Sequence, residues 1–105
     1  MQETDKRILD IFAARVKEAF PQAKIWAFGS RAREEAREDS DFDVCVVLEH
    51  CNRSDRSTLR HIAWEVAFAH GQVFNTLIFT EEEFARGPMS ESSLVRDILH
   101  QGVPA

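Results

Sequence analysis

Asp41 and Asp43 stand two residues apart at the head of an apolar run that continues through Leu48. Side chains alternate faces along a strand, so both carboxylates are expected to point the same way. Two like charges side by side repel, and nothing in the packing of a strand asks for them. A bound cation relieves that repulsion. One or two carboxylates, with phosphate oxygens completing the shell, describe a Mg²⁺ site for a nucleotide. Ten residues lie between Asp41 and Gly29-Ser30, which closes a shorter apolar run from Ile25 to Phe28. Glycine lets a backbone come close to a phosphate, and a helix starting at Ser30 would aim free N–H groups at it. The bland reading is a turn and a solvated charged loop before an ordinary strand. The spacing outweighs it, because each half of the pattern sits on the edge of an apolar run.

Gly29-Ser30, ten residues, then Asp41-x-Asp43, flanked by Arg31-Ala32-Arg33 and Asp39-Ser40-Asp41, resembles the signature of the minimal nucleotidyltransferases of the DNA polymerase beta-like superfamily. The resemblance extends more weakly over most of the chain, to the ending Ile98 to Val103. It implies transfer of a nucleoside monophosphate, AMP from ATP, to an acceptor hydroxyl with release of pyrophosphate. It also implies that Asp41 and Asp43 hold Mg²⁺, that Gly29 and Ser30 hold the β- and γ-phosphates, and that Arg31 or Arg33 adds charge-assisted hydrogen bonds. The family's third carboxylate lies on the next core strand, inward and facing the first two. At that place this chain has Asn75, in Val73-Phe74-Asn75-Thr76. An amide carries no negative charge and takes no proton, and losing a general base costs about 10²–10⁴-fold in rate. The family also often carries glycine where this chain has Glu34.

Three functional readings follow from the resemblance. In the first, the chain is an active transferase, the antitoxin of a toxin–antitoxin pair, modifying a HEPN-domain partner. In the second, it keeps nucleotide or metal affinity but neutralises that partner by binding alone, which Asn75 and an aromatic face at Trp64 and Phe68 favour. In the third it modifies a small molecule, but enzymes of that kind carry an additional helical domain for which 105 residues leave no room.

Composition narrows the classes further. A chain of this length is expected to form a single domain over residues 1–105 with one core and one cleft at its edge. With 44% hydrophobic and 30% charged residues it has the balance of an ordered globule. A net charge of −5 argues against nucleic acid as the main partner, since phosphate neutralisation needs clustered Lys and Arg. The local exception is Arg31, Arg33 and Arg37, better suited to a triphosphate than to a duplex. No apolar stretch approaches the ~20 residues that span a bilayer, and the acidic start lacks a signal-peptide pattern, so the expected place is the cytoplasm. Cys45 reads as a small core residue, Cys45 and Cys51 as neither a disulfide nor a zinc pair, and the four histidines as no metal site.

The elements that must position these residues are an α/β set around a small mixed sheet. Three core strands are expected, with helices mainly on one face and the cleft on the other; the resemblance supplies the pairing. Asp5 to Phe20 has helical periodicity through Ile8, Leu9, Phe12, Val16 and Ala19, with Thr4 or Asp5 as the cap and Pro21 beyond the end. Lys24 to Phe28 reads as a strand. Ser30 to about Arg37 reads as a short charged helix with Ala32 and Ala36 inward. Phe42 to Leu48 reads as a central strand apolar on both faces, Cys45 and Val47 continuing the side of the two aspartates. Ser54 to His70 is an amphipathic helix with Leu59, Ile62, Ala63, Val66, Ala67 and His70 inward. His61, Trp64 and Phe68 fall on its other side, either as a partner surface or beneath another helix of the same domain. Val73 to Thr80 reads as a third strand. Thr80 and Glu83 form a capping box for a helix ended by Gly87-Pro88, which accounts for Glu81, Glu82 and Glu83 without a metal. A last helix is expected over Ser90 to Gln101, with Leu94, Val95, Ile98 and Leu99 inward. A small domain with an apolar helix face also invites self-association.

Overall fold

The computed structural model describes residues 1–34, 40–87 and 92–105. The expectations for Ala36 and Arg37, for Asp39, for Pro88 and for a helix start at Ser90 lie outside the described residues.

The first helix, α1 (Glu3–Ala19), buries Ile8, Leu9, Phe12 and Val16 as the periodicity predicts, and adds Ala13, while Ala19 is exposed. Neither Thr4 nor Asp5 caps it: Gln2 holds the N-cap position without a side-chain bond. Asp5 is instead buried, one turn into the helix. Strand β1 (Lys24–Phe28) follows and delivers the chain to a single turn of helix, α2 (Gly29–Ala32). The charged helix expected from Ser30 onward is thus four residues long, and Glu34 beyond it takes the left-handed conformation at φ 59°. Left-handed backbone suits glycine far better than a side chain with a Cβ.

Strand β2 (Phe42–Leu48) is flanked on both sides, antiparallel to β1 with Phe28 opposite Asp43, and parallel to β3 (Phe74–Thr80) with Asn75 opposite Asp43. Between them runs α3 (Arg53–Ala69), started by a reciprocal capping box of Asn52 and Asp55. It carries the chain across to make the parallel pairing possible, since parallel neighbours need a crossover. Its buried face holds Leu59, Ile62, Ala63, Val66 and Ala67, and His70, expected inward, is an exposed C-cap. The Thr80–Glu83 capping box forms as expected and begins α4 (Glu81–Arg86). Then α5 (Ser93–Gln101) is capped by Ser92 and buries Val95 and Ile98, leaving Leu99 exposed.

A short β4 (Val103–Pro104), beyond the three strands expected, pairs with β1 and gives the sheet the order β3-β2-β1-β4. Proline lacks the N–H that a central strand must donate, so it suits this outer position. The helices are also less one-sided than expected. Phe42, Val44, Val46 and Leu48 pack with Ile25 and Ala27 under α1 and α3. The reverse face, with Phe28, Cys45 and Val47, is closed by Ile98 of α5 and by Phe84 of α4, whose ring stacks on Trp26 at 5.5 Å. Each large apolar side chain so buried contributes roughly 1.5–3 kcal/mol. Cys45 is a core residue here, as its place in the run predicts, and burial pushes its thiol up to about 12, so it stays protonated and unreactive.

Candidate nucleotide and metal site

The two halves of the motif meet at Gly29 and Asp43. Gly29 has φ +72°, and a Cβ added to it would collide with Oδ2 of Asp43. Glycine is therefore required twice over, by backbone conformation and by the closeness of the carboxylate. The antiparallel register is the cause: Phe28 pairs with Asp43, so the next residue of the chain must turn away directly beside that side chain. The first amides of a helical turn have no intrahelical acceptor. At Gly29 the turn that bears these amides stands directly against the Asp43 carboxylate. With one helical turn and no more, these are individual donors, and the helix dipole adds little.

Asp43 is half-buried and Asp41, the residue before β2, is exposed. Asn75 lies across the parallel register from Asp43, and its Nδ2 donates to Asp43 Oδ1 at 3.0 Å. The alignment of the third strand by its apolar pattern thus puts the intended residue beside the carboxylate. β3 is an edge strand, and Asn75 on it is exposed. A buried amide would need protein partners; this one has Asp43 and solvent.

Among the described residues no cluster of three or more His, Cys, Asp or Glu side chains could hold a metal. Asp41 and Asp43 alone suit an ion that draws the rest of its shell from water and phosphate, as Mg²⁺ does, better than one that needs a full protein cage. Glu81, Glu82 and Glu83 form the first turn of α4, with Glu83 in its capping box.

Arg31 is not on the rim with Gly29 and Ser30. It is only 6% exposed, and its Nη1 donates to Asp5 Oδ1 at 2.9 Å. Its Nη2 donates to the Ser40 carbonyl and to Gln72 Oε1, and its guanidinium lies 5.5 Å from the centre of the Phe42 ring. The charge of Arg31, expected at the phosphates, is in this structure engaged by the protein. The pattern around Arg31 does not separate an inward arginine from an outward one; the one signal lies elsewhere, in Asp5, an acid on the buried stripe of α1. Arg33 is exposed, one residue beyond α2.

Trp64 and Phe68 are 62% and 75% exposed, and their rings stack at 5.3 Å. Of the two readings open for them, cover by another helix fails among the described residues. An open groove of about 470 Å³ runs beside them, between the outer side of α3 and β3, and Arg60, Val73, Asn75 and Thr76 also line it. Asn75 lines this groove and also bonds Asp43. Sequence reasoning missed Arg60 and Val73 as parts of this surface.

Residues 9–100 match the nucleotidyltransferase domain family, and the chain belongs to it. Three solved structures have a similar fold. One is a toxin–antitoxin with AMP-PNP, 17% identical at a TM-score of 0.58, the match covering 89% of this chain and 68% of that one. Another is a putative nucleotidyltransferase from Sulfolobus solfataricus, 24% identical at 0.56, covering 80% of this chain and 77% of that one. The third is a mutant of the toxin–antitoxin MntA-HpeT, 15% identical at 0.59, covering 95% of this chain and 70% of that one. No curated protein gives a significant match. Among the described residues no helix is long and apolar enough to cross a membrane.

Proposed function

We propose that this chain is a Mg²⁺-dependent nucleotidyltransferase that moves AMP from ATP to a hydroxyl of a HEPN-domain partner, as the antitoxin of a toxin–antitoxin pair. The observation that carries this reading is the packing of Gly29 directly against Asp43, a glycine turn beside a carboxylate. Membership of the nucleotidyltransferase domain family supports the reaction class. Similarity in fold to a toxin–antitoxin with AMP-PNP supports the pairing and the nucleotide. In this reading Asp41 and Asp43 hold the metal, and Gly29 and Ser30 hold the terminal phosphates by backbone N–H and hydroxyl. Arg33, one residue beyond α2, adds charge-assisted hydrogen bonds to the phosphates in this reading. Mg²⁺ would offset the charge that develops on the α-phosphate and the leaving pyrophosphate. Trp64 and Phe68 form the partner surface, since large exposed aromatics concentrate binding energy.

A second reading has one observation in its favour. Asn75 supplies no base, and it occupies Asp43 Oδ1 with a hydrogen bond. The chain would then bind nucleotide and partner without turnover.

Incubation of the chain with α-labelled ATP, Mg²⁺ and the HEPN-domain protein separates the two. The first reading expects label on the partner, lost when Asp41 and Asp43 are both changed to Asn. Tight partner binding by calorimetry with no label would overturn it and leave an antitoxin that acts by occlusion. Tight nucleotide binding without any binding to a HEPN protein would remove both.

A further inference from the structure

Arg31 bonds three segments of the chain around the site and lies against a fourth residue, Phe42. It belongs to α2, directly after Gly29-Ser30. One of its acceptors, the Ser40 carbonyl at 2.7 Å, is one residue before Asp41. Another, Gln72 Oε1 at 2.8 Å, is three residues before Asn75. The third is Asp5, carried on α1 and itself buried. Under the guanidinium lies the ring of Phe42, between the two aspartates.

We propose that Arg31, anchored by Asp5, is a positioning residue that sets the distance between the phosphate turn and the carboxylates. The guanidinium fork can serve several acceptors in fixed directions at once, whereas a lysine ammonium is a point charge on a flexible stem. Replacing a buried ion pair by apolar residues is often neutral or stabilising, so stability alone is a weak reason for keeping one. Fixed geometry is a better reason here, because one guanidinium joins α1, α2, the residue before Asp41 and the stretch leading into β3. The Nε of Arg31 is buried with no partner among the described residues, so the group is not bonded for its own satisfaction. The brace stands on these contacts alone. Its effect on phosphate binding rests on the transferase reading above.

Two readouts on the full chain test it, with Asp5→Asn as the main variant because it keeps the shape and removes the charge. Without nucleotide, hydrogen–deuterium exchange at residues 29–33 and 41–43 is expected to rise about tenfold, while the buried face of α3 keeps its protection. By calorimetry well below the unfolding temperature, Mg²⁺–AMP-PNP binding is expected to weaken about tenfold while AMP binding stays the same, because only the triphosphate spans the turn and the carboxylates. A purely structural role would lower the melting temperature and leave that ratio unmoved, which would overturn the proposal. Stronger AMP-PNP binding would overturn it too, since it would mean that Asp5 had been withholding Arg31 from the phosphates. Arg31→Lys, which keeps the charge, should not rescue the ratio; full rescue contradicts the brace. Should Asp5→Asn fail to fold, Gln72→Met removes one acceptor only and is expected to weaken AMP-PNP about threefold, with unchanged binding counting against the proposal. A wild-type chain that binds no nucleotide, but whose exchange responds as described, would sink the transferase reading and leave the brace standing.

Discussion

On the side of the sheet that meets α4 and α5, Cys45, Val47, Leu77 and Phe79 are apolar and packed, whereas Asp43 and Asn75, one pleat further along the same two strands, are polar and reach solvent. The register is continuous across both parts, so backbone geometry does not distinguish them. Side-chain chemistry does. The packed part removes apolar surface from water and holds α4 and α5 in place. The open part places an acid beside a glycine turn and an amide, an arrangement that contributes little burial. Folding and chemistry are therefore separable along one pair of strands, and substitutions should separate them.

The largest effect expected is on the open part. Asp43→Asn should lower AMP transfer at least about 100-fold with no fall in the thermal midpoint, measured by label incorporation and by melting. A large fall in stability would mean that Asp43 belongs to the packed part. The converse change is Ile98→Ala, which empties part of the packed cluster. It should destabilise by about 2–5 kcal/mol in urea unfolding and leave nucleotide affinity intact at low temperature.

Asn75→Asp sharpens the comparison by returning a third carboxylate beside Asp43. It should raise transfer about tenfold or more. It should also lower stability in the presence of a chelator and restore it with Mg²⁺, since the added charge repels Asp43 until a cation binds. Glu34→Gly acts at the edge of the site, on a residue held at φ 59°. Relief of the left-handed strain should stabilise the chain by about 1 kcal/mol in urea unfolding.

The smallest effect lies far from both parts, where Arg15 of α1 donates to Glu65 of α3 at 2.9 Å. That hydrogen bond, with the charges of Arg15 and His61, holds the Glu65 carboxyl below the usual glutamate range against a smaller opposing pull from desolvation. A carboxylate whose folded value is depressed contributes stability that is present above its unfolded value and lost as pH falls through the folded one. The stability gap between wild type and Glu65→Gln in urea should therefore be small at neutral pH and close in acid.

Much of this arrangement is legible in the residues. The bounds of β1 and β2 follow from their apolar runs, whereas the place of Asn75 beside Asp43 follows from the family resemblance, since a strand's period names no neighbour. Other features are hidden for definite reasons. Periodicity shows which side of α3 is apolar, but not whether anything covers Trp64 and Phe68. A strand of two residues ending in proline is too short to have a period, so β4 leaves no trace. The inward turn of Arg31 depends on a residue 26 positions away, Asp5, whose acid reads equally well as a helix cap.

The most direct test of the account is a two-dimensional NMR titration of the isotope-labelled chain with Mg²⁺ and AMP-PNP. The account predicts that the amides of Gly29, Ser30, Asp41, Asp43 and Asn75 shift together, while those of Cys45, Val47, Leu77 and Phe79 stay nearly still. Shifts confined to the groove beside Trp64 and Phe68, or no shifts at millimolar nucleotide, would contradict it.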